Sequence, residues 1–195
     1  MQNVLGFGKR LVVWTSGCPF SCDGCIVEEL QDGKLGKHYS VEEFYTIIKT
    51  YLPKIDGITF SGGEPLVQSD ELIKLLNLLP SHLDKMLFSG FKYSELNAIQ
   101  LACFNLFDLV IEGRFEKEKM GNLLWRGSSN QKIFSPTQKY NTIIDDIYKS
   151  KSVGLDIKID ANNILFYGIP TTNEEIATIK QILNKNNIQS NAINL

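Results

Sequence analysis

Apolar and polar positions alternate along the first 112 residues in a way that predicts strands and helices in turn. Short apolar, β-branched runs predict strands at 10–15, 57–61, 84–89 and 106–112. Apolar residues at helical spacing predict helices over 40–50, 70–79 and 93–101. Ser40 followed by Glu43 indicates a capping box, and Pro80 ends the second helix. The apolar face of the first helix is predicted to hold Val41, Phe44, Ile47 and Ile48.

This alternation predicts β/α units on a parallel sheet with right-handed crossovers. The chain is too short for a full eight-unit barrel, so the predicted fold class is α/β, an open partial β/α barrel of the TIM type. After about residue 140 the pattern changes, and runs at 155–159 and 164–167 predict a hairpin around 160–163. Asn173 is expected to cap a last helix reaching about 185. We therefore divide the chain into a partial-barrel domain, 1–140, and a hairpin and helix extension, 141–195, packed on the same domain.

Composition narrows the possible functions. A chain of 195 residues with 43% hydrophobic residues suits one domain with a sizeable core. A net charge of −2 argues against a dedicated nucleic-acid or membrane-surface binder. No apolar run approaches membrane-spanning length, and the first residues lack the pattern of a signal peptide. We therefore expect a cytoplasmic protein whose cysteines serve a metal or catalysis and form no disulfide framework.

Glycines and polar residues follow every predicted strand. A cysteine run follows the first strand, and the others are followed by 62–65, 89–90 and 112–113. Because the carboxyl ends of parallel strands carry the site in α/β architectures, we expect these segments to lie together.

The cysteine run has the spacing C-x3-C-x2-C, formed by Cys18, Cys22 and Cys25. Thiolates select zinc, copper(I) or iron–sulfur clusters, and a structural zinc usually takes four ligands in two separated pairs. Three cysteines without a nearby fourth describe a four-iron cluster with one iron open to a substrate. The alternatives are a zinc site that borrows His38 and apolar thiols without metal. Cys103 is the rival fourth ligand, but its apolar helix-end surroundings favour core packing.

With Gly62-Gly63-Glu64-Pro65 after the next strand, the cysteine run resembles that of the radical S-adenosylmethionine enzymes. The resemblance implies that the three cysteines bind a 4Fe–4S cluster and that S-adenosylmethionine chelates the open iron. It also implies that the Gly-Gly-Glu segment holds the methionine amino group of this cofactor. Glycine lets backbone approach a ligand closely, and a carboxylate suits an ammonium group.

Further segments resemble the glycyl-radical enzyme activases, and among them the activases of anaerobic ribonucleotide reductase. They are residues 6–10 just before the first strand, Gly24 before the last cysteine, and the segments 89–93, 107–115 and 125–131. This resemblance covers roughly the first 135 residues, and Ile26 departs from the Tyr of the close relatives. From these segments we expect further cofactor-binding residues, namely Ser89, Glu112, Ser128 and Asn130.

The chemistry implied by the resemblance begins with one electron from a reduced flavodoxin or ferredoxin. S-adenosylmethionine is then cleaved to methionine and a 5′-deoxyadenosyl radical, which takes a hydrogen atom from a glycine Cα. That glycine belongs to a second protein in trans, expected to be anaerobic ribonucleotide reductase, with no nucleic-acid or membrane partner. Two alternatives stay open: the same chemistry on a peptide or small metabolite, or a non-enzymatic iron–sulfur or zinc module.

Overall fold

The structure is a computed structural model that describes residues 4–152 and 154, the backbone of 155–159 and 164–168, and four helical residues between 174 and 181. The strands are β1 (Arg10–Thr15), β2 (Gly57–Gly62), β3 (Asp84–Ser89), β4 (Leu109–Glu112), β5 (Lys132–Phe134), β6 (Leu155–Ile159) and β7 (Ile164–Gly168). The α-helices are α1 (Val41–Lys49), α2 (Ser69–Leu78), α3 (Ala98–Phe104) and α4 (Ile144–Lys149). Short 3-10 helices occupy Glu28–Leu30, Leu52–Lys54, Pro65–Gln68, Tyr93–Glu95 and Lys117–Lys119.

The first five strands form one sheet in the order β1-β2-β3-β4-β5. β1 to β4 pair in parallel, and β5 pairs antiparallel with β4. Thr15 lies opposite Gly62, and Ser89 lies opposite Glu112, so the carboxyl ends of the parallel strands stand level with one another. The mixed α/β class is therefore confirmed, with a mostly parallel five-stranded sheet.

β6 and β7 form a separate antiparallel pair, with Leu155 opposite Gly168 and Ile159 opposite Ile164. The two predicted hairpin strands are confirmed. The predicted turn at 160–163 and the predicted cap Asn173 lie outside the described residues. Among the described helices, none combines the length and the apolar character needed to cross a bilayer.

The structure of α1 confirms the predicted capping box but not the whole of the predicted buried face. Ser40 Oγ accepts the Glu43 N–H at 3.2 Å, and the Glu43 carboxylate accepts the Ser40 N–H at 2.8 Å. Ile48 is fully buried, whereas Ile47 is 39% exposed, so the placement of Ile47 on the buried face was wrong. Successive helical residues point about 100° apart, so the face that carries Ile48 extends to Tyr45 and leaves Ile47 outside it.

The third helix begins later than predicted. Tyr93–Glu95 forms a separate 3-10 turn, and α3 starts after Asn97, whose side chain accepts the Gln100 N–H at 2.9 Å. The Gln100 side chain in turn accepts the Asn97 N–H, so a second capping box sets the helix start. The later end of α3 carries Cys103 into the core, where it is fully buried, as predicted. Burial raises the pKa of the Cys103 thiol to about 12.

The sheet is buried on both faces. On one side, α1, α2 and α3 cover a core that includes Ile48, Phe60, Leu72, Phe104 and Val110. On the other side, Met86, Leu109, Ile111, Trp125, Ile133 and Ile147 form a second cluster. The consecutive residues 109–111 of β4 alternate between these clusters, as expected for a strand covered on both faces.

An ion-pair network joins the amino ends of β1 and β3, at the sheet end away from the cysteines. Arg10 Nη1 lies 2.6 Å from Asp84 Oδ1, and the Arg10 side chain is only 4% exposed. Asp84 also accepts hydrogen bonds from Lys139 Nζ at 2.8 Å and from the Tyr140 hydroxyl at 2.5 Å. Burial alone would raise the pKa of Asp84, but Lys139, Tyr140 and Arg10 together lower it.

Asp84→Asn is expected to lower the free energy of unfolding by about 3 kcal/mol at pH 7, because it leaves the Arg10 charge buried without its counter-ion. Since folding lowers the Asp84 pKa, its contribution is present above the unfolded value of about 4 and is lost as pH falls through the folded value. Denaturant unfolding followed by tryptophan fluorescence measures both effects.

Asp32→Asn is the matched control for Asp84→Asn, because Asp32 pairs with Lys34 at the surface and its loss should leave stability unchanged. The free energies of unfolding of wild type and Asp84→Asn are expected to converge below about pH 4, where the Asp of the unfolded chain takes up its proton. A difference in this free energy that stays constant from neutral pH to about pH 3 would contradict the assigned ionisation.

Candidate metal centre

The three cysteines occupy the loop that follows β1. Cys18, Cys22 and Cys25 are free thiols and half-buried. The base of the loop is fastened by Gly17 N–H donating to the Leu30 carbonyl at 2.7 Å and by Cys18 N–H donating to the Gln31 carbonyl at 2.9 Å. The loop therefore starts from a fixed backbone at the end of the sheet.

Gly24 turns the chain just before the last cysteine. Its φ is +74°, a conformation that L side chains rarely adopt, and a Cβ there would lie 3.4 Å from the Phe115 ring. The tight turn is closed by the Cys25 N–H, which donates to the Cys22 carbonyl at 3.2 Å. This geometry gives a physical reason for glycine where many radical S-adenosylmethionine enzymes carry an aromatic residue.

The thiols influence one another electrostatically. Burial raises the pKa of Cys18, and the Phe20 N–H opposes this, while Glu64 and the other two cysteines raise it further. Burial and Cys25 raise the pKa of Cys22, and the Phe115 N–H and the Arg114 guanidinium oppose that rise. Burial and mutual repulsion disfavour the thiolate forms of Cys18 and Cys22, and a bound cation would favour them, so the donor set suits a metal centre.

The three cysteines can each serve a different iron of one cluster. Within the part of the chain that the structure describes, no three Cys, His, Asp or Glu side chains are close enough to hold one metal ion. A 4Fe–4S cluster does not require such convergence, because each of its cysteines binds a different iron. His38 is exposed and lines a cavity between β1, α1 and α2, and Cys103 lies in the core. Neither supports a four-ligand zinc site.

The Gly62-Gly63 pair lets β2 end against the start of the cysteine loop. Gly63 N–H donates to the Thr15 carbonyl at 2.8 Å, and Glu64 N–H donates to the Gly17 carbonyl at 2.9 Å. A Cβ on Gly63 would lie 2.3 Å from the Gly17 oxygen, and a Cβ on Gly62 would lie 2.4 Å from the Thr15 oxygen. These glycines are thus required by contact within the chain, whatever they contribute to a ligand.

Glu64 joins the ends of β2 and β3. Its buried carboxylate accepts hydrogen bonds from the Leu66 N–H at 2.9 Å, the Ser89 hydroxyl at 2.9 Å and the Gly90 N–H at 2.6 Å. Burial raises the pKa of Glu64 to about 7, against the effect of these donors. Pro65 is also buried and begins the 3-10 helix that the Glu64 side chain caps. The carboxylate is therefore already engaged by protein donors.

The end of β4 and the segment after it are held by the turn that follows β3 and by hydrogen bonds within the loop that precedes β5. Glu112 accepts a hydrogen bond from the Tyr93 N–H. Ser128 Oγ accepts the Glu116 N–H at 3.1 Å, and Asn130 Nδ2 donates to the Arg114 carbonyl at 2.8 Å. Asn130 Oδ1 is buried and has no hydrogen-bond partner among the described residues, so it is an acceptor that a ligand could use.

Two residues of this site were missed from the sequence, Phe20 and Arg114. The Arg114 guanidinium carbon lies 4.3 Å from the centroid of the Phe20 ring. Phe20 stands between the first two cysteines, and Arg114 follows Gly113, the residue just after β4, so both lie in segments already singled out. Only the contact between them, which spans 94 residues of sequence, identifies them as partners.

A cysteine loop at the carboxyl end of a parallel sheet, supported by the next three strand ends, is the arrangement of an iron–sulfur cluster domain. Residues 4–134 match the family described as "4Fe-4S single cluster domain".

Named relatives narrow this class. The anaerobic ribonucleoside-triphosphate reductase-activating protein of Enterobacteria phage T4 is 30% identical over 141 residues, which cover 69% of this chain and 88% of that protein. The proteins of the same name from Escherichia coli K12 and Salmonella typhi are 30% and 31% identical, over 67% of this chain and 90% of each relative. The chain therefore belongs to the 4Fe-4S single cluster domain family and, within it, to the family of these activating proteins. Membership confirms the predicted activase resemblance, the enzyme class and the 4Fe–4S cofactor.

Proposed function

We propose that this chain generates a glycyl radical on an anaerobic ribonucleotide reductase in trans, as the names of its relatives indicate for them. The observation that carries the proposal is the C-x3-C-x2-C loop at the carboxyl end of β1 in a chain that matches this family over residues 4–134. We assign Cys18, Cys22 and Cys25 as ligands of one iron each. When bound, the cluster and S-adenosylmethionine supply the electron and the carbon radical that the reaction needs.

The residues beside the cysteine loop are proposed to bind S-adenosylmethionine. At the end of β2, next to the cysteine loop, lie Gly62, Gly63 and Pro65. Ser89 ends β3 and donates a hydrogen bond to the Glu64 carboxylate. Because the Glu64 carboxylate already accepts three hydrogen bonds, we infer that backbone acceptors of this segment hold the cofactor amino group. Glu64 then positions the two strand ends and the backbone between them.

On the opposite side, Glu112, Ser128 and Asn130 are proposed to complete the cofactor site. Asn130 offers its buried Oδ1, which has no protein partner among the described residues, to a donor on the ligand. Ser128 is fully buried and Glu112 nearly so, which suits groups that exclude water from the reaction.

The finer fold assignments follow the same proposal. We infer that the sheet curves as an open partial barrel and that the target glycine enters on its open side. We keep the division into a domain, 1–140, and an extension, 141–195. The extension begins with α4, whose Ile147 packs in the cluster of Met86, Leu109 and Ile111. A reduced flavodoxin or ferredoxin is the proposed electron donor, and the cytoplasm, where thiols stay reduced, is the proposed location.

The test combines the anaerobically reconstituted chain, S-adenosylmethionine, dithionite or reduced flavodoxin, and the anaerobic ribonucleotide reductase of the same organism. A doublet glycyl-radical signal in electron paramagnetic resonance, dependent on both this chain and S-adenosylmethionine, is expected. Formation of 5′-deoxyadenosine with a small peptide but no radical on the reductase would favour the peptide-modifying alternative. One zinc and no iron per chain would favour the binding module.

Asn130→Ala is expected to slow activation of the reductase at least about tenfold, because it removes a proposed ligand hydrogen bond of about 1.4 kcal/mol and also the bond from Nδ2 to the Arg114 carbonyl. Iron content should stay near that of wild type, because the cysteines are untouched. Asn77→Ala on the exposed side of α2 is the matched control and should activate normally. An Asn130→Ala variant that activates at the wild-type rate would remove Asn130 from the site.

A further inference from the structure

A positive charge is held beside the cysteine loop by Arg114. The Arg114 guanidinium carbon lies 4.3 Å from the Phe20 ring centroid, and Phe20 belongs to the cysteine loop. On its other side, Arg114 Nη1 forms an ion pair with Glu95 Oε1 at 3.0 Å. The side chain therefore joins the turn after β3 to the loop after β1.

The Arg114-Phe115 segment lies against the cysteine loop on both sides of Cys22 in the sequence, with Arg114 over the Phe20 ring and Phe115 beside Gly24. Burial and Cys25 raise the pKa of Cys22, and the Phe115 N–H and the Arg114 charge oppose that rise. The Phe115 ring lies where a Cβ on Gly24 would be 3.4 Å away, so the dipeptide follows the loop closely. Arg114 and Phe115 thus place a positive charge and an aromatic ring against the part of the loop that carries Cys22.

Other charged groups near the loop are placed differently. The Glu64 charge raises the pKa of Cys18. The Lys117–Asp23 pair, at 3.3 Å, has side chains 46% and 79% accessible, against 40% and 34% for Arg114 and Glu95, so solvent screens it more strongly. Among the groups that act most strongly on the Cys18 and Cys22 thiols within the described residues, Arg114 is the cation.

Neighbouring contacts restrict the position of Arg114. Its carbonyl accepts the Asn130 amide at 2.8 Å, which fixes the backbone. Phe20, its stacking partner, contacts the Phe91 ring edge-on at 4.8 Å between centroids. Phe20 also packs on Gly90, where a Cβ would lie 2.6 Å from the ring. Charge and cysteine loop are therefore held at a set separation.

We propose that Arg114 is a positioning residue that raises the reduction potential of the cluster by holding its charge against the cysteine loop, over the Phe20 ring. The inference rests on the proposed function, which places the cluster on these cysteines. One-electron reduction adds a negative charge to the cluster, so a nearby cation stabilises the reduced form. Glu95, the ion-pair partner of Arg114, offsets part of this charge and has the opposite effect.

The experiment is a redox titration of the full chain, reconstituted anaerobically with iron and sulfide and followed by electron paramagnetic resonance of the reduced cluster. Arg114→Gln is expected to lower the reduced-to-oxidised ratio at a given potential about tenfold, a midpoint shift of about 59 mV to more negative values for a one-electron couple. Glu95→Gln should shift the midpoint to more positive values. Arg114→Lys, which keeps the charge, should stay near wild type.

Lys49→Gln is the matched control, since it removes one positive charge from the exposed end of α1 and should leave the potential unchanged. Wild-type potential in an iron-replete Arg114→Gln variant would overturn the inference while leaving the proposed function intact. Shifts of the same sign in Arg114→Gln and Glu95→Gln would also overturn it, because they would indicate only a disturbed loop. If Arg114→Gln loses iron, Glu95→Gln decides by the sign of its shift. Absence of iron in the wild-type chain would refute the proposed function itself.

Discussion

Replacing any one of Cys18, Cys22 or Cys25 with alanine is expected to abolish cleavage of S-adenosylmethionine by the reconstituted chain. Each thiolate is proposed to bind a different iron, so no other cysteine of the loop can take over for a missing one. The wild-type chain should bind about four irons and four sulfides, as a 4Fe–4S cluster requires. Iron and sulfide per chain, together with 5′-deoxyadenosine formed under dithionite, measure the effect.

Cys103→Ala is the matched control for this series. Cys103 is fully buried in the core under the helices, so its replacement should leave the iron content and cofactor cleavage intact. Its cost should be limited to about 1 kcal/mol of stability, from the small cavity left behind. Loss of the cluster in Cys103→Ala would overturn the three-ligand assignment, and so would a full cluster in any of the other three variants.

Gly63→Val is expected to reduce both iron retention and S-adenosylmethionine binding. Its Cβ would lie 2.3 Å from the Gly17 carbonyl oxygen, and that oxygen belongs to the backbone immediately before Cys18. Relief of this overlap would displace the start of the cysteine loop and break the Glu64 N–H bond to Gly17, at a cost of about 3 kcal/mol. Iron analysis, anaerobic calorimetry with S-adenosylmethionine and denaturant unfolding check the three effects.

Gly121→Val is the control for Gly63→Val, because a Cβ at Gly121 would have only the Leu123 side chain near it, at 3.7 Å. That variant should behave as wild type. Normal iron content with weakened cofactor binding in Gly63→Val would show that Gly63 faces the ligand more than the cysteine loop. If both iron content and S-adenosylmethionine binding are normal in Gly63→Val, the segment is only a strand-to-helix turn without a role in the site.

Much of the fold could be predicted from the sequence because its causes are local. Strand periodicity gave the bounds of β1 and β3 as observed and placed β2 within one residue. The Ser40 capping box is encoded within four consecutive residues, and the structure contains it. The strand–helix alternation also predicted that the segments after the strands would meet, because parallel strands end at one edge of a sheet.

Other features depend on contacts between distant residues, which no local pattern encodes. The exposure of Ile47 follows from how α1 rotates onto the sheet, and the antiparallel β5 follows from pairing with β4 across the loop between them. Tertiary structure likewise brings Asp84 to Arg10, 74 residues away.

The same division holds at the site. The sequence by itself determined which thiols form the cysteine run, since residue type and spacing decide which metals three thiolates can bind. Only the tertiary structure decided that residue 63 must be glycine, because a Cβ there would overlap the Gly17 carbonyl, and that Arg114 lies over Phe20 in the cysteine loop. The physical reason is that packing and charge act through distance in space, which the order of residues along the chain does not contain.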